Sequence, residues 1–128
     1  LAQHTQLTYP RHYQWLGGLA HSESLTHIAQ ADVLLHPSAM EGGSLTMIEA
    51  IQCGTAVIAS RVAGHIGLLG ADYLGLFDWG DAVGAVRLLE RFASEPSYRT
   101  SLHTQCAARR PLFAPEHERQ TLLNLLAN

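Results

Sequence analysis

The stretch from Leu34 to Ala63, LLHPSAMEGGSLTMIEAIQCGTAVIASRVA, constrains this chain more than any other. It reads as a strand, an acidic and glycine-rich turn, an amphipathic helix and a second strand. Two hydrophobic strands that flank a helix imply a parallel βαβ unit. In such a unit a ligand sits just past the carboxyl end of the first strand, against the helix N-terminus. Glu41 stands at the mouth of the turn and Glu49 lies further along the helix. The rest of the sequence reads as scaffold around this unit.

The central helix is expected to begin at Ser44 or Leu45, with Met47, Ile48, Ala50 and Ile51 as its apolar face and Gly54 as its stop. Thr55 to Ser60 is apolar on both faces, as a central parallel strand should be. Before the unit, residues 1–11 read as a loop with Pro10, and HYQWLG (12–17) as a short aromatic strand. Ser22 is a candidate cap for a helix from Glu23 to Gln30, with Leu25, Ile28 and Ala29 facing inward. ADVLLHPS then gives a strand closed by Pro37. After the unit come a short helix in AGHIGLLG, a strand in YLGLFD (73–78) and a helix from Asp81 or Ala82 to Phe92. Two further helices are expected, from Ser97 to Arg109 and from Glu116 to Leu126. The fold class is therefore α/β, with a mostly parallel sheet, flanking helices and a helical extension over residues 97–128.

Composition excludes several functions. With 128 residues, 47% of them apolar and 15% charged, the chain is globular and of single-domain size. A net charge of −3 without a concentrated basic face argues against a nucleic-acid partner. All eight basic residues are Arg, so no Walker-type or Schiff-base lysine is present. Cys53 and Cys106 are far apart and fit neither a metal spacing nor a disulfide framework. A reducing compartment, hence the cytoplasm, is the default. Cys53 is expected as a small buried hydrophobe. The histidines form no compact ligand set, so no metal is expected. No run approaches the roughly 18 apolar residues of a membrane span, and the N-terminus lacks a signal-peptide pattern.

The turn and helix carry the chemistry. Backbone N–H groups at Gly42, Gly43, Ser44 and Leu45 open the helix, and two glycines leave them accessible. A phosphate or diphosphate could accept from them at the positive end of the helix dipole. Arg61 is the one cation near this unit. Glu49 interrupts an apolar face, and a buried carboxylate needs donors. Two vicinal hydroxyls, as on ribose, match its two oxygens. Glu41 could accept from sugar hydroxyls. These elements suggest a nucleotide sugar. Two plainer readings stand beside this one: a Glu that favours a helix dipole, and a solvent-exposed Glu within a helix. His36 could face the cleft or be a loop histidine bonded to backbone, and His65, beside Gly64, could reach phosphate or acceptor. Arg109 and Arg110 fit a surface role or a carboxylate clamp to another domain.

Taken together, HYQWLGGLAHSESLTHIAQADVLLHPS, EGGSLTMIEAIQCGTAVIAS, the glycine near Gly64 and YLGLFDWGD resemble the C-terminal Rossmann-like domain of the retaining group 1, or GT4-type, GT-B glycosyltransferases. Two glutamates separated by seven residues and followed by alanine, as in Glu41, Glu49 and Ala50, mark that family. The resemblance implies that Glu41 contacts the donor sugar and serves as the catalytic-site carboxylate. It implies that Glu49 meets the ribose, that amides around Gly42, Gly43, Ser44 and Leu45 meet the phosphates, and that Gly64 lines the cleft. The substrate is then a nucleotide-sugar donor, UDP-linked by this likeness, with a small-molecule acceptor and no other cofactor. Gly43 and Ser44 replace the family's usual aromatic and glycine, and HIGLLGADYLG lacks its usual acidic residue.

The EGG variant, RVAGHIGLLGADYLGLF and CAARRPLFAPEHER also resemble a narrower branch. Its members are thought to join a UDP-linked N-acetylhexosamine to selenophosphate. The likeness further implies an incomplete C-terminal half of a GT-B fold. An N-terminal domain, the first strand and helix, and an upstream Arg and Lys pair would lie elsewhere. Such a piece is expected to bind donor weakly, to turn over little or not at all, and to keep an incomplete sheet, re-pair its edges or dimerise to cover them.

Overall fold

The computed structural model describes residues 16–38 and 44–113. The elements follow in the order α1 (His21–Gln30), β1 (Val33–His36), α2 (Ser44–Cys53), β2 (Ala56–Ser60), α3 (Ala63–Leu69), β3 (Leu76–Phe77), α4 (Ala82–Ser94) and α5 (Pro96–Arg109), closed by a 3₁₀ turn over Arg110–Phe113. The strands form one parallel sheet in the order β1-β2-β3, with Val33 opposite Ala56 and Ser60 opposite Phe77. All three carboxyl ends therefore lie on one edge. This is a parallel sheet with flanking helices, the Rossmann-like arrangement expected from the βαβ reading.

Why β2 is central is visible in its residues. Ala56, Val57, Ile58, Ala59 and Ser60 are all buried, and β2 is in contact with α2, α4 and α5. A strand covered on both faces must be apolar at consecutive positions. From α2, Met47, Ala50 and Ile51 bury completely against this layer, whereas Ile48 is half-buried. Gly54 ends α2 with φ of 80°, a left-handed conformation that only glycine takes cheaply. Thr55 then ties two elements together: its Oγ1 donates to Ile28 O at 2.7 Å, and its N–H donates to Ala50 O at 2.9 Å.

A second set of contacts braces the sheet from α5. Tyr98, Leu102 and Cys106 are buried on one face of that helix. The Tyr73 hydroxyl donates to Val57 O, and the Cys106 Sγ lies 3.1 Å from it. The tyrosine proton is committed to the carbonyl, so the thiol is the donor of that second bond. Burial, with the neighbouring thiol, pushes the Tyr73 hydroxyl well above its usual range, and burial also pushes the Cys106 thiol up. Tyr98 donates to Leu74 O at 2.9 Å, while Gln105 bridges Leu74 N–H and Asp72 O. Residues 97–109, expected within a helical extension, thus carry much of the packing beneath β2 and β3.

Several local expectations change. The strand expected over 73–78 shrinks to Leu76–Phe77, because Tyr73 turns inward and spends its hydroxyl on β2. Ser22 lies inside α1, not at its cap; Ala20 takes the cap position without a side-chain bond. Ala29 and Cys53 are exposed, not buried. Leu16 and Gly17 are not in a strand. Arg109, half-buried, and Arg110, exposed, both bond helix carbonyls. Arg109 donates to Leu68 O at 2.8 Å and Gly67 O at 3.1 Å, and Arg110 to Ile51 O at 3.2 Å. Both satisfy the carbonyl-bearing ends of helices, where cations are favoured. The rest of the expected strand over 12–17 and the helix over 116–126 lie outside the described residues. No helix among the described residues is long and apolar enough to cross a membrane.

Candidate functional site

The carboxyl edge of the sheet gathers His36 and Pro37 after β1, Ser60 and Arg61 after β2, and Asp78 after β3. Two helices add to it. His65 projects from the first turn of α3, and α2 starts at Ser44, on the chain that leaves β1. In parallel α/β sheets this is the edge that holds ligands.

Glu49 has the burial expected of a working carboxylate. It is only 9% exposed on a helix whose Met47, Ala50 and Ile51 are fully buried. Among the described residues its one ionic neighbour is His21 Nε2, 3.6 Å from Oε1. That distance is too long for a good hydrogen bond. His21 also locates Glu49 in the fold. The other end of α1 joins β1 directly, and its ten residues span about 15 Å. His21 therefore stands towards the carboxyl edge, and Glu49 with it. The sequence did not mark His21, because its partner lies in another element.

Ser60 and His65 form the tightest polar knot at this edge, and both are fully buried. The Ser60 hydroxyl donates to Ser38 O at 2.6 Å. His65 Nδ1 lies 2.8 Å from Ser60 O and 3.3 Å from Ser60 Oγ. The His65 ring stacks on His36 with centroids 4.9 Å apart. The Nε2 atoms of both histidines are buried and have no hydrogen-bond partner among the described residues. Burial, and secondarily the neighbouring His65, hold His36 below the usual histidine range. Both histidines thus sit at the carboxyl edge of the sheet, and His65 is bonded to the Ser60 backbone carbonyl.

The remaining candidates divide as follows. Gly64 occupies the first turn of α3, half-buried and without a positive φ, so it is a helix residue and not a turn glycine. Leu45 is 63% exposed in the first turn of α2. Ser44 is the first residue of that helix. Glu41, Gly42 and Gly43 lie outside the described residues. Arg61 leans on Asp78, with Nε 3.8 Å from Oδ1, in an exposed pair. Such pairs hold their partners loosely, so Arg61 keeps the freedom to meet an anion.

Two hollows flank the sheet. One of about 540 Å³ opens at the amino end, between Asp32, Val33, Phe92, Arg99 and His103. Another of about 380 Å³ opens at the carboxyl end, between Leu35, Pro37, Phe77, Trp79 and Val86, and is largely apolar. The larger hollow lies at the end of the sheet where parallel α/β folds do not place ligands. No group of three or more His, Cys, Asp or Glu side chains among the described residues could hold a metal ion.

A parallel α/β domain of this kind belongs to the class whose ligands bind at the carboxyl edge of the sheet. The family follows from comparison: residues 2–106 match the model of the glycosyl transferases group 1, most of the chain, and the chain belongs to that family. Its members transfer sugars from nucleotide-sugar donors, which makes the protein a glycosyltransferase of the GT-B, Rossmann-like kind. A comparison with curated proteins finds no match.

Proposed function

We propose that this chain is the donor-binding portion of a retaining glycosyltransferase, with a UDP-sugar held across the carboxyl edge of the sheet. Glu49 accepts from the two ribose hydroxyls. The amides at the start of α2, from Gly42 to Leu45, receive the diphosphate, and Glu41 orients the sugar. Gly64 lets the first turn of α3 approach the same ligand. The observation that carries this reading is Glu49. A carboxylate so little exposed, whose ionic partner among the described residues is a distant histidine, gains most from a ligand that brings two O–H donors.

The chemistry follows from charge. As the glycosidic bond breaks, negative charge grows on the leaving diphosphate. Amides already oriented at a helix start stabilise it without reorganising. Glu41 holds the anomeric carbon where the acceptor enters on the face the diphosphate leaves. The acceptor is a small molecule presented by a separate N-terminal domain. The narrower assignment is transfer of N-acetylhexosamine to selenophosphate in the cytoplasm, which the likeness of RVAGHIGLLGADYLGLF and CAARRPLFAPEHER supports.

Calorimetric titration with UDP and UDP-N-acetylhexosamine, repeated on Glu49→Ala, tests the reading. Loss of one charge-assisted bidentate contact should weaken UDP by about tenfold or more, since each 1.4 kcal/mol is a factor of ten. Equal binding by wild type and variant would overturn the ribose assignment. Binding without turnover by the protein joined to its N-terminal domain would instead favour a nucleotide-binding module that catalyses nothing.

A further inference from the structure

The contact between His21 and Glu49 has the spacing of two groups that share a ligand. Nε2 of His21 stands 3.6 Å from Oε1 of Glu49. That is too long for a direct bond of good geometry, and it leaves room for a ligand oxygen about 2.8 Å from each atom. The two side chains also differ in access, with 69% of His21 exposed against 11% of Glu49. The imidazole therefore lies at the rim of a crevice whose floor is the carboxylate.

A ligand that reaches Glu49 must meet this ring. An oxygen that donates to Oε1 lies about 2.5–3.0 Å from it. From any direction of approach, that oxygen is within about 7 Å of His21 Nε2. The chemistry of the pair narrows the ligand further. A carboxylate only accepts, whereas an imidazole nitrogen donates or accepts according to where its proton sits. A hydroxyl has one proton to give and lone pairs that accept. Two vicinal hydroxyls thus satisfy both side chains whichever way the ring is protonated. One donates to Glu49, and either that oxygen accepts from Nε2 or its neighbour donates to it.

We propose that His21 is a second side-chain contact of the ribose subsite: the diol that bonds Glu49 bonds His21 Nε2 as well. This rests on the donor reading above and deepens it, because the pair then favours a ribonucleotide over its deoxy analogues. Both residues lie on helices, α1 and α2, so the spacing between them is built into the fold.

UDP, 2′-deoxy-UDP and 3′-deoxy-UDP, titrated calorimetrically into the wild-type chain, His21→Ala and His21→Gln, test the proposal. His21→Ala should bind UDP about fivefold more weakly, the loss of one hydrogen bond. His21→Gln carries both a donor and an acceptor near the Nε2 position and should stay within about twofold of wild type. For at least one deoxy ligand, wild type and His21→Ala should agree within about twofold, since the hydroxyl that His21 meets is gone. The thermal midpoint of His21→Ala should stay within about 3 °C of wild type, as expected for an exposed side chain. His21→Ala that binds UDP like wild type would overturn the proposal. So would an equal loss for all three ligands, which would assign the effect to charge or packing and not to a ribose hydroxyl. Wild type that binds no UDP, or Glu49→Ala that binds it as well as wild type, would instead defeat the donor reading.

Discussion

Two buried polar clusters touch β2 at different points, one at Val57 and one at Ser60, and among the described residues they differ in how fully they are bonded. Around Tyr73, each of the groups that ties α5 to the sheet has a partner. The phenol meets Val57 O, the Cys106 thiol meets the phenol, and Gln105 closes Leu74 N–H and Asp72 O. At the carboxyl edge, among the described residues, His36 and His65 keep buried nitrogens without partners, and the ionic contact of Glu49 is a long one to His21. Leaving polar groups unsatisfied costs stability, and a fold retains such groups where something else completes them. The Tyr73 cluster is architecture. On the donor reading proposed above, the edge is where a ligand adds the missing partners.

If that contrast holds, substitutions beneath β2 should change stability and leave nucleotide affinity alone. The largest effect is expected at Leu102, fully buried on α5: Leu102→Ala should cost about 2–5 kcal/mol in urea denaturation. Gly75→Ala comes next. A Cβ there would lie 2.6 Å from the Tyr73 ring and 2.7 Å from Val57 O, overpacking that costs about 1–3 kcal/mol. Tyr73→Phe removes the donor to Val57 O and the acceptor of the Cys106 thiol, and should cost about 1–2 kcal/mol. A large drop in UDP affinity in any of the three, in protein that still folds, would erase the distinction between the clusters.

The edge should reveal itself through acid. His36 is held below 6.5 in the folded protein, so over the range just below that value the unfolded chain binds more protons than the folded one. Its contribution is fully present above pH 6.5 and is lost as pH falls through the lowered folded value. Denaturation midpoints measured from pH 7.5 to pH 5 should therefore decline more shallowly in His36→Leu than in wild type. Identical slopes would remove His36 from the account. The smallest effect belongs to the exposed Arg61–Asp78 pair, where Asp78→Asn should change stability by less than about 1 kcal/mol.

Much of this arrangement was legible in the chain because it depends on local pattern. TAVIAS announces a strand buried on both sides, and MIEAI shows one acid on an apolar helix face. Other features are set by partners distant in sequence. His21 meets Glu49 across two helices, and Arg109 and Arg110 reach carbonyls 41 and 59 positions away. YLGLFD has strand-like composition, but Gly75 leaves room for the Tyr73 ring against β2, and only Leu76 and Phe77 pair. No periodicity reports a side chain that folds back over its own backbone. The contact of His65 with Ser60 was equally hidden, since it joins α3 to the strand before it.

Chemical-shift mapping of the chain during titration with UDP tests most directly whether the unfinished edge is where the donor lies. Perturbations should concentrate at Glu49, His21, His36, His65 and the first turn of α2, with the Tyr73–Cys106 cluster unmoved. Shifts centred on Asp32, Phe92 and His103, at the larger hollow on the amino end, would contradict it.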